Sequence, residues 1–446
     1  NAKEARTRAG YGRCFRIPLF AAQVIALIGT GLATVALGLL AFDLAGSNAG
    51  VVMGTALAIK MIAYVGIAPI AAAFAERLPK RTMLVTLDVI RAGVALLLPF
   101  VSQIWEVYVL IFVLQAASAA FTPTFQATIP DVLPDEQDYT KALSLSRLAY
   151  DMESLISPML AAALLTVMSF HNLFTGTVLG FLVSAILVVS VVLPSHAIPE
   201  RRSIYDRTTR GIRIYLATPR LRGLLAVNVA VSAAASMVFV NTVVIIQGGM
   251  GLTQSAVALA LASFGAGSMI AALALPSLLS KLTDRRVMLS GVGLLVVGMF
   301  AGTLMMGQNS LMALWFVLGL GYSAAQTPSG RLLWRSSHQE DRPALFAAQF
   351  ALSHVSWLVF YPLAGWLGAH YSMTVAFAVL GGAAALAVWA AFRVWPSIDL
   401  TEIEHEHFNL PEGHIHATGS PTPNGIRHTH PFVVDDYHPR WPSSGH

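Results

Sequence analysis

Charge and cysteine are both scarce in this chain. Only 11% of its 446 residues are Asp, Glu, Lys or Arg, against about 25% in an ordinary soluble domain. Cys14 is the lone cysteine, so no internal disulfide framework and no Cys-based zinc cage can form. No Gly-rich phosphate loop follows a strand pattern, and no Ser-His-Asp or Cys-His order stands in a soluble segment. Nothing here reads as an ATP motor or as an enzyme active site. The net charge of +5 alone would suit a nucleic-acid binder, but no nucleic-acid partner is expected from a chain that is 56% hydrophobic with a mean hydropathy of +0.66. That balance points to a polytopic membrane protein, in which the placement of Lys and Arg matters more than their sum.

What is abundant is apolar run length. About 20 apolar residues cross the roughly 30 Å of a bilayer's hydrocarbon. Twelve such spans are expected, near residues 17–42, 49–75, 82–102, 105–127, 140–168, 172–194, 221–247, 254–280, 287–307, 310–329, 343–368 and 371–395. The first is preceded by five basic residues, lacks a small-residue cleavage site and is followed by many more spans, so it reads as a membrane helix. Loops at one side carry Arg77, Lys80 and Arg81, then Lys141, the Arg-rich stretch from Arg201 to Arg222, then Lys281, Arg285, Arg286, Arg331, Arg335 and Arg342. Loops at the other side, near 43–48, 103–104, 169–171, 248–253, 308–309 and 369–370, hold no Lys or Arg. By the positive-inside rule both termini are cytoplasmic, and the lipid bilayer is the first partner.

The chain also repeats itself. Lys80-Arg81 returns as Arg285-Arg286, Thr122-Pro123 as Thr327-Pro328 and Pro158 as Pro362, at a displacement of about 205 residues. Duplicated bundles are a habit of transporters. The expected organisation is a cytoplasmic segment at 1–16, a six-helix bundle at 17–194, a cytoplasmic linker at 195–220, a second six-helix bundle at 221–395 and a cytoplasmic tail at 396–446.

Two stretches carry a family resemblance. Ala72-Ala73-Phe74-Ala75-Glu76-Arg77-Leu78-Pro79-Lys80-Arg81 looks like the loop 2–3 signature G-x-x-x-D-R-x-G-R-R of the major facilitator superfamily, with Ala72, Glu76 and Pro79 replacing Gly, Asp and Gly. Asp88 and Arg91, Gln126 to Asp131, and Ser157-Pro158-Met159-Leu160-Ala161-Ala162, a degenerate antiporter motif, extend the likeness over nearly all of residues 15–396. The pattern is similar to the branch of bacterial siderophore exporters, and the His-rich tail resembles that of nickel-resistance exporters. The resemblance implies an all-α membrane fold of two pseudo-symmetric six-helix bundles, alternating access and efflux across a bacterial inner membrane, coupled to protons. It also implies a gating role for Glu76, Arg77, Lys80, Arg81, Asp88 and Arg91. For the loop residues the alternative is topology and lipid anchoring alone, and for Asp88 with Arg91 it is a structural pair.

Ionisable groups at membrane depth are the candidates for the transport pathway. Each costs about 2.5–3.5 kcal/mol at a helix centre unless paired or hydrated. Asp88 with Arg91, and Arg147 with Asp151, are spaced to meet on one helical face. Glu153 sits about 200° around the helix from Asp151 by helical geometry, so it needs a partner elsewhere, with Lys60 or His354 available. His354 suits a proton relay or a cation ligand, with a hydrogen-bonded packing role as the alternative. Asn228 and Asn241 could line the cavity or bridge helices.

Eight of the 13 histidines stand from His405 onward. His405 with His407, His414 with His416 and His428 with His430 form three H-x-H pairs, and His438 follows. Imidazole with carboxylate suits Ni, Co or Zn. Intervening Gly, Pro, Ser and Asn suggest a flexible tail that orders around metal, against a solvated tail with no ligand. No tightly bound cofactor is expected. The transition metal enters as cargo or tail ligand, and export of a small organic molecule such as a siderophore, metal chelate or drug is the alternative function.

Overall fold

In a bilayer core every backbone polar group must be satisfied within the protein, so apolar runs of this length fold as helices. The computed structural model describes residues 2–75, 79–132, 153, 156–157, 159–191, 204–304, 307–337 and 341–397. In the tail it describes 402–407, 420–422, 425–431, 433–434 and 441. The helices are α1 (Ala2–Ala45), α2 (Ala49–Ala75), α3 (Lys80–Leu97), α4 (Ile104–Val132) and α5 (His171–Ser190) in the first half. After the linker helix α6 (Ile204–Ala217) come α7 (Pro219–Val243), α8 (Gln254–Leu279), α9 (Asp284–Gly302), α10 (Gln308–Gln326), the short α11 (Ser329–Arg335), α12 (Arg342–His370) and α13 (Met373–Val394). The fifth span lies largely outside the described residues and contributes a helical piece from Met159. Nine described stretches are long and apolar enough to cross a membrane, one of them, Phe20–Ile67, running through both α1 and α2.

The internal repeat is visible in the packing. In the first half α1 packs on α5, α2 on α4, and α3 on both α4 and α5. In the second, α7 packs on α13, α8 on α10, and α9 on both α10 and α13, the same scheme with each partner displaced by one bundle. Backbone geometry repeats as well: Gly46 after the first span and Gly251 after the seventh both adopt left-handed φ, 54° and 65°, which glycine alone adopts without a Cβ penalty. The result is a pair of pseudo-symmetric six-span bundles.

Close approach replaces hydrophobic drive, since lipid tails are as apolar as leucine. A Cβ on Gly267 of α8 would strike the Phe316 carbonyl of α10, and one on Gly319 of α10 would strike the Phe264 carbonyl of α8. Trp315, Phe377, Phe174 and Phe181 fill the bundle interiors with almost no exposure. Large apolar side chains point outward instead at Phe100, Ile186, Leu273, Val297 and Leu386, from 66% to 79% exposed, as a lipid-facing surface requires.

Two segments differ from expectation. The polar linker is not loop throughout: α6 is amphipathic, burying Ile214 and Tyr215 against α12 while Arg213 faces out. Gly211 permits that fit, because a Cβ there would meet the Ala344 carbonyl. Arg210 grips Asp341 through Nε at 2.6 Å and Nη2 at 3.1 Å. Tyr215 donates to the Gln349 side-chain oxygen, and burial pushes its phenol up, keeping it a neutral donor. The tail, expected as a flexible segment ordering around metal, instead holds three short antiparallel strands, β1 (Glu402–His407), β2 (Ser420–Thr422) and β3 (Gly425–Pro431), in the order β1-β3-β2. Alternation of Glu with His or Ile along β1 suits a strand period.

Candidate transport site

The two bundles meet along α2 and α12. Gly50, Gly54 and Gly365 let these helices touch backbone to backbone at the end away from the basic loops: a Cβ on Gly365 would strike the Gly50 carbonyl, and one on Gly54 would lie 2.5 Å from the Tyr361 carbonyl. At the same end Ser255, at the start of α8, donates to the Leu165 carbonyl of the fifth span at 3.2 Å. In the two-fold scheme, α2 with α12 and the fifth span with α8 are equivalent contacts.

Deeper along this seam lie the ionisable groups. Lys60 on α2 and Glu153 on the fifth span interact as opposite charges across the first bundle. Gly31 on α1 makes room for the carboxylate, since a Cβ there would lie 2.8 Å from Glu153 Oε1 and would collide with Ser157. Tyr361 of α12 lies near the same carboxylate and near Tyr322 of α10. Lys60 also sits 5.9 Å from the Tyr64 ring centre and lines a cleft with Thr30, Thr34, Gln115 and Ser118.

His354 faces this group from the second bundle. Its ring stacks on Tyr64 of α2 with centres 5.5 Å apart and planes 8° from parallel. Its Nδ1 donates to the Phe350 carbonyl one turn back, at 2.6 Å. Aromatic contacts continue from there: Trp357 on Tyr361 at 4.8 Å, Phe239 of α7 against Trp357 at 6.1 Å and Phe264 of α8 at 5.5 Å, and Phe264 against Tyr322 at 5.4 Å. The seam is therefore one acid, one amine and one imidazole set in an aromatic wall. It can pair a carboxylate with either an ammonium or a proton, and it offers flat apolar surface to a bound molecule.

The other sequence-derived residues separate from this group. Asp88 and Arg91 form a buried ion pair inside the first bundle. Ser184 Oγ donates to Asp88 at 2.7 Å, and the guanidinium lies between Phe121 and Phe181 at 4.0 Å and 4.4 Å from the ring centres. Their place is bundle interior, away from the loop with which the family motif groups them. Arg81 donates to the Val189 carbonyl, tying the start of α3 to the end of α5, and Lys80 opens α3. Asn241 donates to the Ala364 carbonyl at 2.9 Å and bridges α7 to α12. Asn228 is buried on α7, with no partner among the described residues for its amide group. Glu76, Arg77, Arg147, Asp151, His414, His416 and His438 lie outside the described residues. His405, His407, His428 and His430 lie in strands β1 and β3. Sequence reasoning missed Tyr64, Tyr361 and Gly31. A signal for the seam did exist in Gly50-x-x-x-Gly54, the small-residue spacing of close-packed membrane helices.

With fold and seam in place, comparison with known proteins defines the class. The Major Facilitator Superfamily model matches residues 19–281 and 224–408, and the chain belongs to that family, a multi-pass membrane protein. It is 25% identical over 195 residues to an uncharacterized MFS-type transporter, YfiS, of Bacillus subtilis, covering 44% of this chain and 46% of that one. It is 24% identical over 181 residues to macrolide efflux protein A of Streptococcus pyogenes, covering 40% and 44%. The chain thus spans about half the length of these relatives. A bacterial homolog of the human lysosomal transporter Spinster, in an inward-facing and unoccupied conformation, superposes with a TM-score of 0.68 at 13% identity, covering 87% of this chain and 99% of that one. A D-xylose-proton symporter gives 0.62 at 16% identity, covering 86% and 98%.

Proposed function

We propose that this protein is a proton-coupled exporter of the bacterial inner membrane, with both termini in the cytoplasm, and that its cargo is a divalent transition metal, nickel foremost. The observation that carries the coupling is the placing of Lys60 and Glu153 within electrostatic reach of one another beside the seam of the two bundles. In one state the carboxylate neutralises Lys60. A proton reaching Glu153 removes that compensation, and an uncompensated charge at this depth costs about 2.5–3.5 kcal/mol. The exchange of proton for ammonium, or for a cationic cargo, thus biases the rocking of one bundle against the other. His354, with Asp151 and Glu153 of the fifth span, supplies metal-compatible donors to the path, and the tail supplies a cytosolic collecting surface.

A second reading has its own support. The aromatic wall from Tyr64 to Tyr322 suits an amphipathic organic molecule, and among the relatives is a macrolide efflux protein. Everted vesicles energised with an interior-acid gradient separate the two. Accumulation of radioactive nickel, with no effect of a macrolide competitor, supports metal export. Macrolide flux without nickel flux replaces it with the organic cargo.

A further inference from the structure

The outer face where α9 meets α13 carries a group of side chains that the transport path does not use. At the basic-loop end of α13, Trp389, Phe392 and Arg393 follow one another at the three- and four-residue spacings that share a helix face. Both rings stand open on the lipid side, Trp389 59% and Phe392 53% exposed, and Leu386 continues that face toward the membrane interior. Each ring carries a guanidinium. Arg393 lies 5.3 Å from the centre of the Trp389 ring, and Arg285 of α9 lies 5.3 Å from that of Phe392. Arg285 is also anchored, its Nε donating to the Trp395 carbonyl just past α13 at 3.1 Å. Arg286 and Arg393 are exposed. The neighbouring acid does not neutralise them, because Asp284 is buried and pairs with Arg335 at 2.7 Å and Arg331 at 3.6 Å. No carboxylate among the described residues pairs with Arg285, Arg286 or Arg393. The first bundle supplies a comparison. There Arg81 likewise donates to the Val189 carbonyl at the end of α5, yet residues 186–190 include neither an aromatic nor a basic side chain.

Topology alone would call for basic residues at this end, but not for guanidinium groups set over rings across two helices. A guanidinium is weakly hydrated and presents a planar fork of donors that matches a phosphate, and a ring beneath it fixes it in place. Basic pockets between membrane helices take anionic headgroups in the same way. We infer that the groove between α9 and α13 at the basic-loop end is a binding site for an anionic phospholipid. Arg285 and Arg393 hold its phosphate, Arg286 stands at the rim, and the acyl chains lie along Phe392, Trp389 and Leu386. The site concerns the protein's membrane partner, so it stands whichever cargo crosses.

The test is native mass spectrometry of the full chain in detergent, titrated with phosphatidylglycerol and, separately, with phosphatidylcholine. The parent should hold phosphatidylglycerol about tenfold more tightly. Arg285→Gln with Arg393→Gln should abolish that preference. Arg213→Gln with Arg222→Gln, which removes two exposed arginines elsewhere at the same end, should keep it within twofold. Equal losses in the two double variants would mean surface charge alone, and no loss in the first would mean no site; either result overturns the proposal. Because Arg285 also ties α9 to α13, Arg393→Gln alone guards against misfolding: it should weaken the preference several-fold at an unchanged melting temperature, and parent-like binding counts against the site. Inorganic phosphate should displace the lipid no better than chloride at equal ionic strength, and selective displacement would make this a free-anion site instead. A dimer dissolved by the Arg285 and Arg393 changes would assign the face to a second copy of the chain and likewise overturn the lipid site.

Discussion

Glu153 on the fifth span lies within electrostatic reach of Lys60 on α2, with Gly31 of α1 packed directly against the carboxylate. The charges are thus held where the second bundle, through Tyr361 and the His354–Tyr64 stack, closes over them.

Gly31 has no space for a side chain. Gly31→Val should cost about 1–3 kcal/mol through overpacking against Ser157. It should also shift Glu153, so that transport falls further than stability. Thermal unfolding in detergent measures the first effect, and vesicle flux of the surviving folded protein measures the second.

The contact of α2 with α12 at Gly50 and Gly365 must open if access alternates. Gly365→Val places a side chain where the Gly50 carbonyl lies, so it should hold this end of the seam apart and lower vesicle flux at least tenfold while the melting temperature changes little. Flux at the parent rate would show that this contact need not close during transport.

The Asp88–Arg91 pair is buried within one bundle, between Phe121 and Phe181. Removing one partner strands the other charge, so Arg91→Ala should destabilise by about 3–5 kcal/mol, and Asp88→Asn similarly. Arg91→Lys should fail to rescue, because an ammonium cannot spread between two rings as a guanidinium does. Replacing both residues with leucine should restore much of the loss. Melting temperatures of the purified variants decide the matter.

Much of this was legible beforehand, and the reason is physical. Apolar run length, basic-loop asymmetry and the recurrence of Lys80-Arg81 as Arg285-Arg286 follow directly from bilayer thickness and gene duplication. The helix packing repeats between the halves as the recurrence implies. Local pairs such as Asp88 with Arg91 were also readable, because helical spacing dictates them. What spacing cannot dictate is which helix faces which: the His354–Tyr64 stack and the approach of Glu153 to Lys60 depend on inter-helix registry. The strands of the tail were hidden by composition. Gly, Pro and Ser between the H-x-H pairs read as loop, while the alternation in Glu402–His407 that makes a strand was read as metal-ligand spacing alone.

The account rests most heavily on proton exchange at Glu153. The direct measurement is counterflow against flux in proteoliposomes carrying the parent protein or Glu153→Gln, with and without an imposed pH gradient. The account predicts that Glu153→Gln keeps cargo exchange between equal pools but loses at least tenfold of the gradient-driven accumulation. Accumulation by Glu153→Gln that still follows the pH gradient at the parent rate would contradict it.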